Sequence, residues 1–202
     1  VKNMQHASQS RHHPFQGITI KSQTIVGLVL SETSYLPRQR VLPHSHERAG
    51  FCLTLRGGFT EDSGSGKRSC RASSLIFRPP AEVHGNHFHD CPGRCFNIEI
   101  DSHWINRVNE FRRVPEASRE YHGGLLPSLA LRVYQEFRVM DEVSPLVIEG
   151  LALDMLAQVS RPPLSRREPA WLVQARDLVH ARFVEGLSLD SIAKAVDVHP
   201  VQ

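Results

Sequence analysis

Near residue 101 the chain changes its hydrophobic period. Before it, apolar residues come in short runs: Thr24-Ile25-Val26-Gly27-Leu28-Val29-Leu30, Phe51-Cys52-Leu53-Thr54-Leu55 and Ser74-Leu75-Ile76-Phe77. Turn formers part them at Pro43, Gly57-Gly58, Asp62-Ser63-Gly64-Ser65-Gly66, Pro79-Pro80 and Pro92-Gly93. Short runs bounded this way predict strands. Several in succession predict a sandwich or barrel over about 15–100. After Ser102 the apolar residues recur every three or four positions. Trp104, Val108 and Phe111 predict one helix, and Leu126, Leu129, Val133, Phe137 and Met140 a second. A third is expected over about 145–159, with Pro145 in its first turn. It carries Ile148, Leu151 and Met155 on one side and Leu146, Leu153 and Leu156 elsewhere. A helix apolar nearly all round must be buried against its own domain or a partner. Ile148, Leu151 and Met155 are therefore the expected dimerisation residues of a helical segment over 101–160. The fold class expected is α+β: a mainly β N-terminal part, then helices.

Residues 161–169 hold three prolines and three arginines and read as a linker. Helix resumes at about Ala170, where Trp171, Leu172, Ala175, Leu178, Val179 and Phe183 share a face, and Gly186 stops it. Ser188 suits the N-cap of a following helix carrying Leu189, Ile192, Ala193 and Val196. Asp197-Val198 reads as a tight turn and His199-Pro200 as the start of another helix. Helix, tight turn and helix form a unit whose second helix enters the DNA major groove. An ordinary helical hairpin is the plainer alternative. The candidate DNA-binding positions are Ser188, His199 and Gln202.

The 202 residues, 40% apolar and 22% charged, suffice for one large or two small globular domains. No stretch approaches the run of about 20 apolar residues that a membrane span needs. The first 14 residues are polar and His-rich, expected to form a disordered tail, and lack the apolar core of a secretory signal. Four cysteines, Cys52, Cys70, Cys91 and Cys95, form no Cys-x-x-Cys pair, so reduced thiols in the cytoplasm are expected. A net charge of +3 permits a nucleic-acid partner without demanding one.

Chemistry concentrates in His44-Ser45-His46-Glu47 and in His84, five residues after Pro79. Alternate residues of a strand share a face, so His44 and His46 point the same way. A third imidazole from a neighbouring strand suits an open site for zinc, iron, nickel or copper. Histidines that merely line a polar pocket are the alternative. His44, His46 and His84 are thus the candidate ligand-binding residues and candidate ligands of a divalent metal. The run from His84 to Cys95 holds three histidines and two cysteines. Its Cys-x3-Cys spacing with an internal proline does not suit a zinc knuckle. On a strand, His84 and Phe88 would face one way and His87 and His89 the other. No phosphate loop or nucleophile elbow is present.

His44-x-His46 with Gly57-Gly58 resembles the first cupin motif, and Pro79-x-Ala81-x-x-His84 the second. The first motif usually has glutamate four or five residues after its second histidine, where this chain has Gly50 and Phe51. The second usually has glycine where Ala81 stands. Glu47 is the nearest substitute for the glutamate. Residues 171–202 resemble the start of an AraC/XylS-type DNA-binding domain, carried by the segment from Gly186 to Pro200, with His199 where serine is usual. Cupin-like part, helices, linker and this module follow the order of AraC-type regulators.

The resemblance implies a cupin-like sensor domain over 15–100 and a partial DNA-binding domain over 170–202, ending inside the first helix-turn-helix. It implies a small-molecule effector, a homodimer and, for the full-length protein, DNA as partner, and no enzymatic activity. A chain ending there is expected to bind DNA weakly and without sequence preference. The alternative is a cupin metalloenzyme, a dioxygenase or isomerase, using the three histidines.

Overall fold

The structure, a computed structural model, describes residues 16–64, 66–162, 169–182 and 187–199. The expected tail, most of the linker, Phe183, Gly186, Pro200 and Gln202 lie outside them. The chain divides into two compact units, Val1–Arg161 and Pro162–Gln202.

In the first unit, β1 (Ile18–Ile25), β2 (Leu28–Tyr35), β4 (Ala49–Arg56), β7 (Ser74–Arg78), β9 (Gly93–Ile100) and β10 (Arg119–His122) form one sheet, ordered β1-β2-β9-β4-β7-β10. The strands β3 (Arg40–His44), β5 (Gly58–Ser63), β6 (Gly66–Arg71) and β8 (His84–Phe88) form a second sheet, ordered β3-β8-β5-β6. All described pairings are antiparallel. Three helices follow: α1 (Ser102–Asn109), α2 (Leu125–Val139) and α3 (Ser144–Ser160). The fold is α+β, mostly sheet.

Strand alternation gives the larger sheet two different faces. Leu28, Leu30, Phe51, Leu53, Leu75, Phe77, Phe96 and Ile98 point to one side, where they join Ala130, Val133, Phe137, Ile148, Met155 and Leu156 of the helices in one apolar core. Their neighbours along the same strands, Tyr35, Cys52, Ile76 and Cys95, point the other way and meet Val41, Phe59, Cys70 and Phe88 of the smaller sheet. The first unit is thus three layers: helices, six strands, four strands. The helices share their core with the sheet, so residue 100 is no domain boundary, contrary to the division expected at 100/101. That division followed the change of period, which marks a change of element and not of core.

The apolar run at 24–30, expected as one strand, is a hairpin. Ile25 pairs with Leu28, and Val26 and Gly27 form the turn at φ of 44° and 79°. Positive φ at both central residues is the type I′ pattern that matches the twist of flanking strands. Gly27 supplies the conformation; Val26 adopts it against its β-branched side chain. Strand β10 lies within a stretch expected to be helical and pairs with β7. Helix α1 ends before Phe111, which is 87% exposed.

Helix α3 places Ile148, Leu151 and Met155 in the protomer's own core, at 0%, 8% and 0% exposure. These are not surface groups that a second copy touches, which corrects their expected part in a dimer interface. The helix needed a cover on that side, and α2 and α1 supply it. Leu146, on the other side, is 73% exposed.

In the second unit α4 (Ala170–Arg182) packs against α5 (Leu189–Ala195). Ser188 accepts a hydrogen bond from the Ser191 backbone N–H, while the Ser191 hydroxyl partners the Ser188 backbone N–H, a reciprocal cap. The turn after α5 places Asp197 at φ 56°, and Val198 N–H donates to the Ala193 carbonyl. His199 is exposed at its end.

Candidate metal and ligand site

Beside the apolar cluster between the two sheets, polar side chains gather around His44, His46 and His84. His44 ends β3 and His84 begins β8, and the two residues are paired across the strands. His46 lies two residues past β3, not on it, so strand alternation alone does not aim it. The loop does: Ala81 N–H donates to the His46 carbonyl at 2.8 Å, with Ala81 at φ 61°. A left-handed residue is needed there, which explains the glycine usual at that motif position. The three rings meet at centroid separations of 4.4 to 5.3 Å. One nitrogen from each lies within 4.8 Å of the others. A metal with Zn–N bonds of about 2.0–2.1 Å would draw them closer by roughly an ångström.

Two of the rings have a carbonyl oxygen within hydrogen-bond reach of Nδ1. His44 Nδ1 lies 2.9 Å from the Leu42 carbonyl and His84 Nδ1 lies 3.2 Å from the Glu82 carbonyl. A carbonyl only accepts, so both Nδ1 atoms carry the proton and both Nε2 atoms keep the lone pair. His46 Nδ1 lies 3.7 Å from Glu99 Oε1. Burial lowers the His46 pKa to about 4, with His44 and Arg78 adding to the shift. Burial and then Arg78 lower that of His84 to about 3. Both rings are neutral at neutral pH, the form that binds metal. The donor set therefore fits a divalent metal.

Sequence reasoning found the three histidines and missed what surrounds them. The buried Glu61 carboxylate pairs with Arg78 across the sheets and with Arg68 at 3.3 Å. Arg78 reaches the same interior as the histidines. So do Cys52 and Cys95, whose thiols hydrogen-bond to each other; that bond and Arg78 hold Cys52 down at about 7. Glu99 has its carboxyl pKa raised by burial, against the pull of Arg48. Alternation along β9 was the available signal, since Cys95, Asn97 and Glu99 share the inward face. Glu47, the substitute considered from sequence, is exposed and outside the cluster. Among the described residues no second group of three His, Cys, Asp or Glu forms, so the run 84–95 makes no knuckle. Its Cys91 is exposed and its Cys95 buried.

Two clefts, with about 350 and 340 Å³ of open space, share His46, Arg78 and Asn97. One runs toward Arg48 and Glu99, the other toward His44 and His84.

No protein-family model matches the sequence. No curated protein matches it either. Solved structures do match. ToxT K231A of Vibrio cholerae strain SCE256 aligns at TM-score 0.55 and 7% identity, covering 86% of this chain and 71% of that one. The AraC-like transcriptional activator CuxR aligns at 0.49 and 12%, covering 89% and 70%. A cupin superfamily protein of Desulfitobacterium hafniense DCB-2 aligns at 0.39 and 13%, covering 43% and 78%. The chain spans about a fifth of the matched oxalate decarboxylase of Bacillus subtilis (21%). At these identities the likeness is one of fold.

Proposed function

We propose that the chain is the ligand-sensing part of a DNA-binding transcription regulator. One observation carries the reading: a unit with a polar interior cleft is followed by a separate unit in which a capped helix runs into a tight turn and His199. That is the beginning of a helix-turn-helix, attached to something that binds a small molecule. In this reading Ser188 starts the first helix of the helix-turn-helix, His199 stands just past the turn where a recognition helix would begin, and Gln202, outside the described residues, is a candidate contact position. The effector enters between the sheets and meets His44, His46 and His84. A divalent metal held by the three Nε2 atoms would supply a Lewis-acidic anchor for an oxygen of the effector. Around it, Arg78 offers positive charge and Asn97 a polar amide.

A homodimer through the outer side of the helical layer belongs to the same reading, at Val139, Val143 and Leu146, exposed around the α2–α3 turn. Chromatin precipitation of the full-length protein in its host tests the function. The expected result is enrichment of a small set of promoters, altered by His84→Ala. Uniform recovery of genomic DNA overturns it.

The second reading, a metalloenzyme, is favoured by the three clustered imidazoles. Purification with stoichiometric iron or manganese, together with turnover of a small organic acid, would establish it over the first.

A further inference from the structure

Gly50 on β4 pairs directly with Glu99 on β9, so the two residues present the same face of the sheet. The backbones approach so closely that a Cβ at Gly50 would lie 2.8 Å from the Ile98 carbonyl oxygen. No side chain fits at that point of β4, so the pair presents only the side chain of its β9 member. That member is Glu99. His46, Gly50 and Glu99 line one cleft, with Glu99 Oε1 at 3.7 Å from His46 Nδ1.

The other two rings show what this contact does. His44 and His84 have a backbone carbonyl two residues upstream beside Nδ1, which fixes their tautomer. For His46 it is the Glu99 carboxylate that stands there. We propose that Glu99 is the positioning residue of His46: its carboxylate, 3.7 Å from Nδ1 and just beyond hydrogen-bond length, closes to accept the His46 Nδ1 proton, turns Nε2 toward His44 and His84, and completes a three-nitrogen site for a divalent cation. The acidic partner of the site is thus supplied by β9 instead of β4. This rests on the metal reading of the three histidines. Glu99 touches the ring, not the ion, and lies outside the cluster of mutually close donor atoms. Arg48 is the competing cation in the same cleft; its guanidinium lies 3.6 Å from Asp101.

The test uses the full chain with histidine labelled in its ring nitrogens, together with the variants Glu99→Ala and Glu99→Gln. Long-range proton–nitrogen spectra of the metal-free protein read each tautomer. All three rings of the parent are expected to carry the proton on Nδ1. In Glu99→Ala the His46 signals move to the Nε2–H form or to a mixture, while those of His44 and His84 stay. Glu99→Gln, which keeps an acceptor oxygen, restores the parent pattern in large part. Zinc titration should weaken by roughly 10- to 100-fold in Glu99→Ala, the range typical of losing such an outer partner, and less in Glu99→Gln. An unmoved His46 tautomer with unchanged zinc affinity overturns the proposal and leaves the metal reading standing. A moved tautomer in a parent that binds no metal upholds Glu99 and removes the metal. If Glu99→Ala fails to fold, the same two measurements on Glu99→Gln and Glu99→Asp decide it.

Discussion

Val26 is the residue whose conformation the sequence argues against most directly. It sits in the left-handed region, 55% exposed, in the turn between β1 and β2, and its carbonyl accepts the Trp104 indole N–H at 2.9 Å. Only its backbone is used. Left-handed geometry costs a residue with a Cβ roughly 1–2 kcal/mol, and Asn-Gly is the preferred pair for such a turn. Val26→Asn should therefore stabilise the chain by about 1 kcal/mol, read as a higher urea midpoint with an unchanged slope. His46 and His84 bear on acid stability. Their pKa values in the folded protein, about 4 and about 3, lie below the ordinary 6.5. Below pH 6.5 the unfolded chain takes up protons that the folded chain refuses, so stability falls. The fall from this source ends once the folded rings also protonate. Urea midpoints should drop between pH 7 and pH 4.5, and His84→Asn should flatten that drop. An equally steep drop in the variant would assign it to other groups.

Among elements, α2 and α3 were plain in the sequence because their apolar residues repeat at helical spacing over four turns. The hairpin at 25–28 was not, since seven apolar or small residues in a row hide a turn whose signal is Gly27 alone. Strand β10 has four residues, Arg119–His122, with no alternation to reveal them; pairing with β7 makes it a strand. The imidazole cluster was legible because two motifs name its members. Glu99 was legible only in part: alternation along β9 turns it inward with Cys95 and Asn97, but its place opposite Gly50 depends on register across β4 and β9, which no local pattern records. The two sides of α3 give a discriminating test. Leu151 is enclosed by the core and Leu146 is exposed. Leu151→Asp should destabilise the protein by about 3 kcal/mol or more, whatever its oligomeric state. Leu146→Asp should leave the melting of the protomer nearly unchanged and, if the outer helical side joins two copies, shift sedimentation to monomer. Normal folding of Leu151→Asp would mean that α3 is not seated as described.

At the largest scale the three layers of the first unit decide which of its groups meet reagents. Cys52, Cys70 and Cys95 are buried and Cys91 is exposed. A thiol reagent should label one cysteine rapidly and three only as the chain opens. Rapid labelling of all four would show the interior to be open. Helices, large sheet and small sheet are coupled through β4 and β9, each of which is shared by two interiors. Phe51 and Ile98 abut the helices, while their chain neighbours Cys52, Asn97 and Glu99 border the histidines. Such a strand is a common wall. A tilt that widens the room on one side narrows the room on the other, and close-packed side chains transmit the movement without slack. Whatever fills the space beside the imidazoles is therefore weighed on the helical side as well, across the thickness of a single strand.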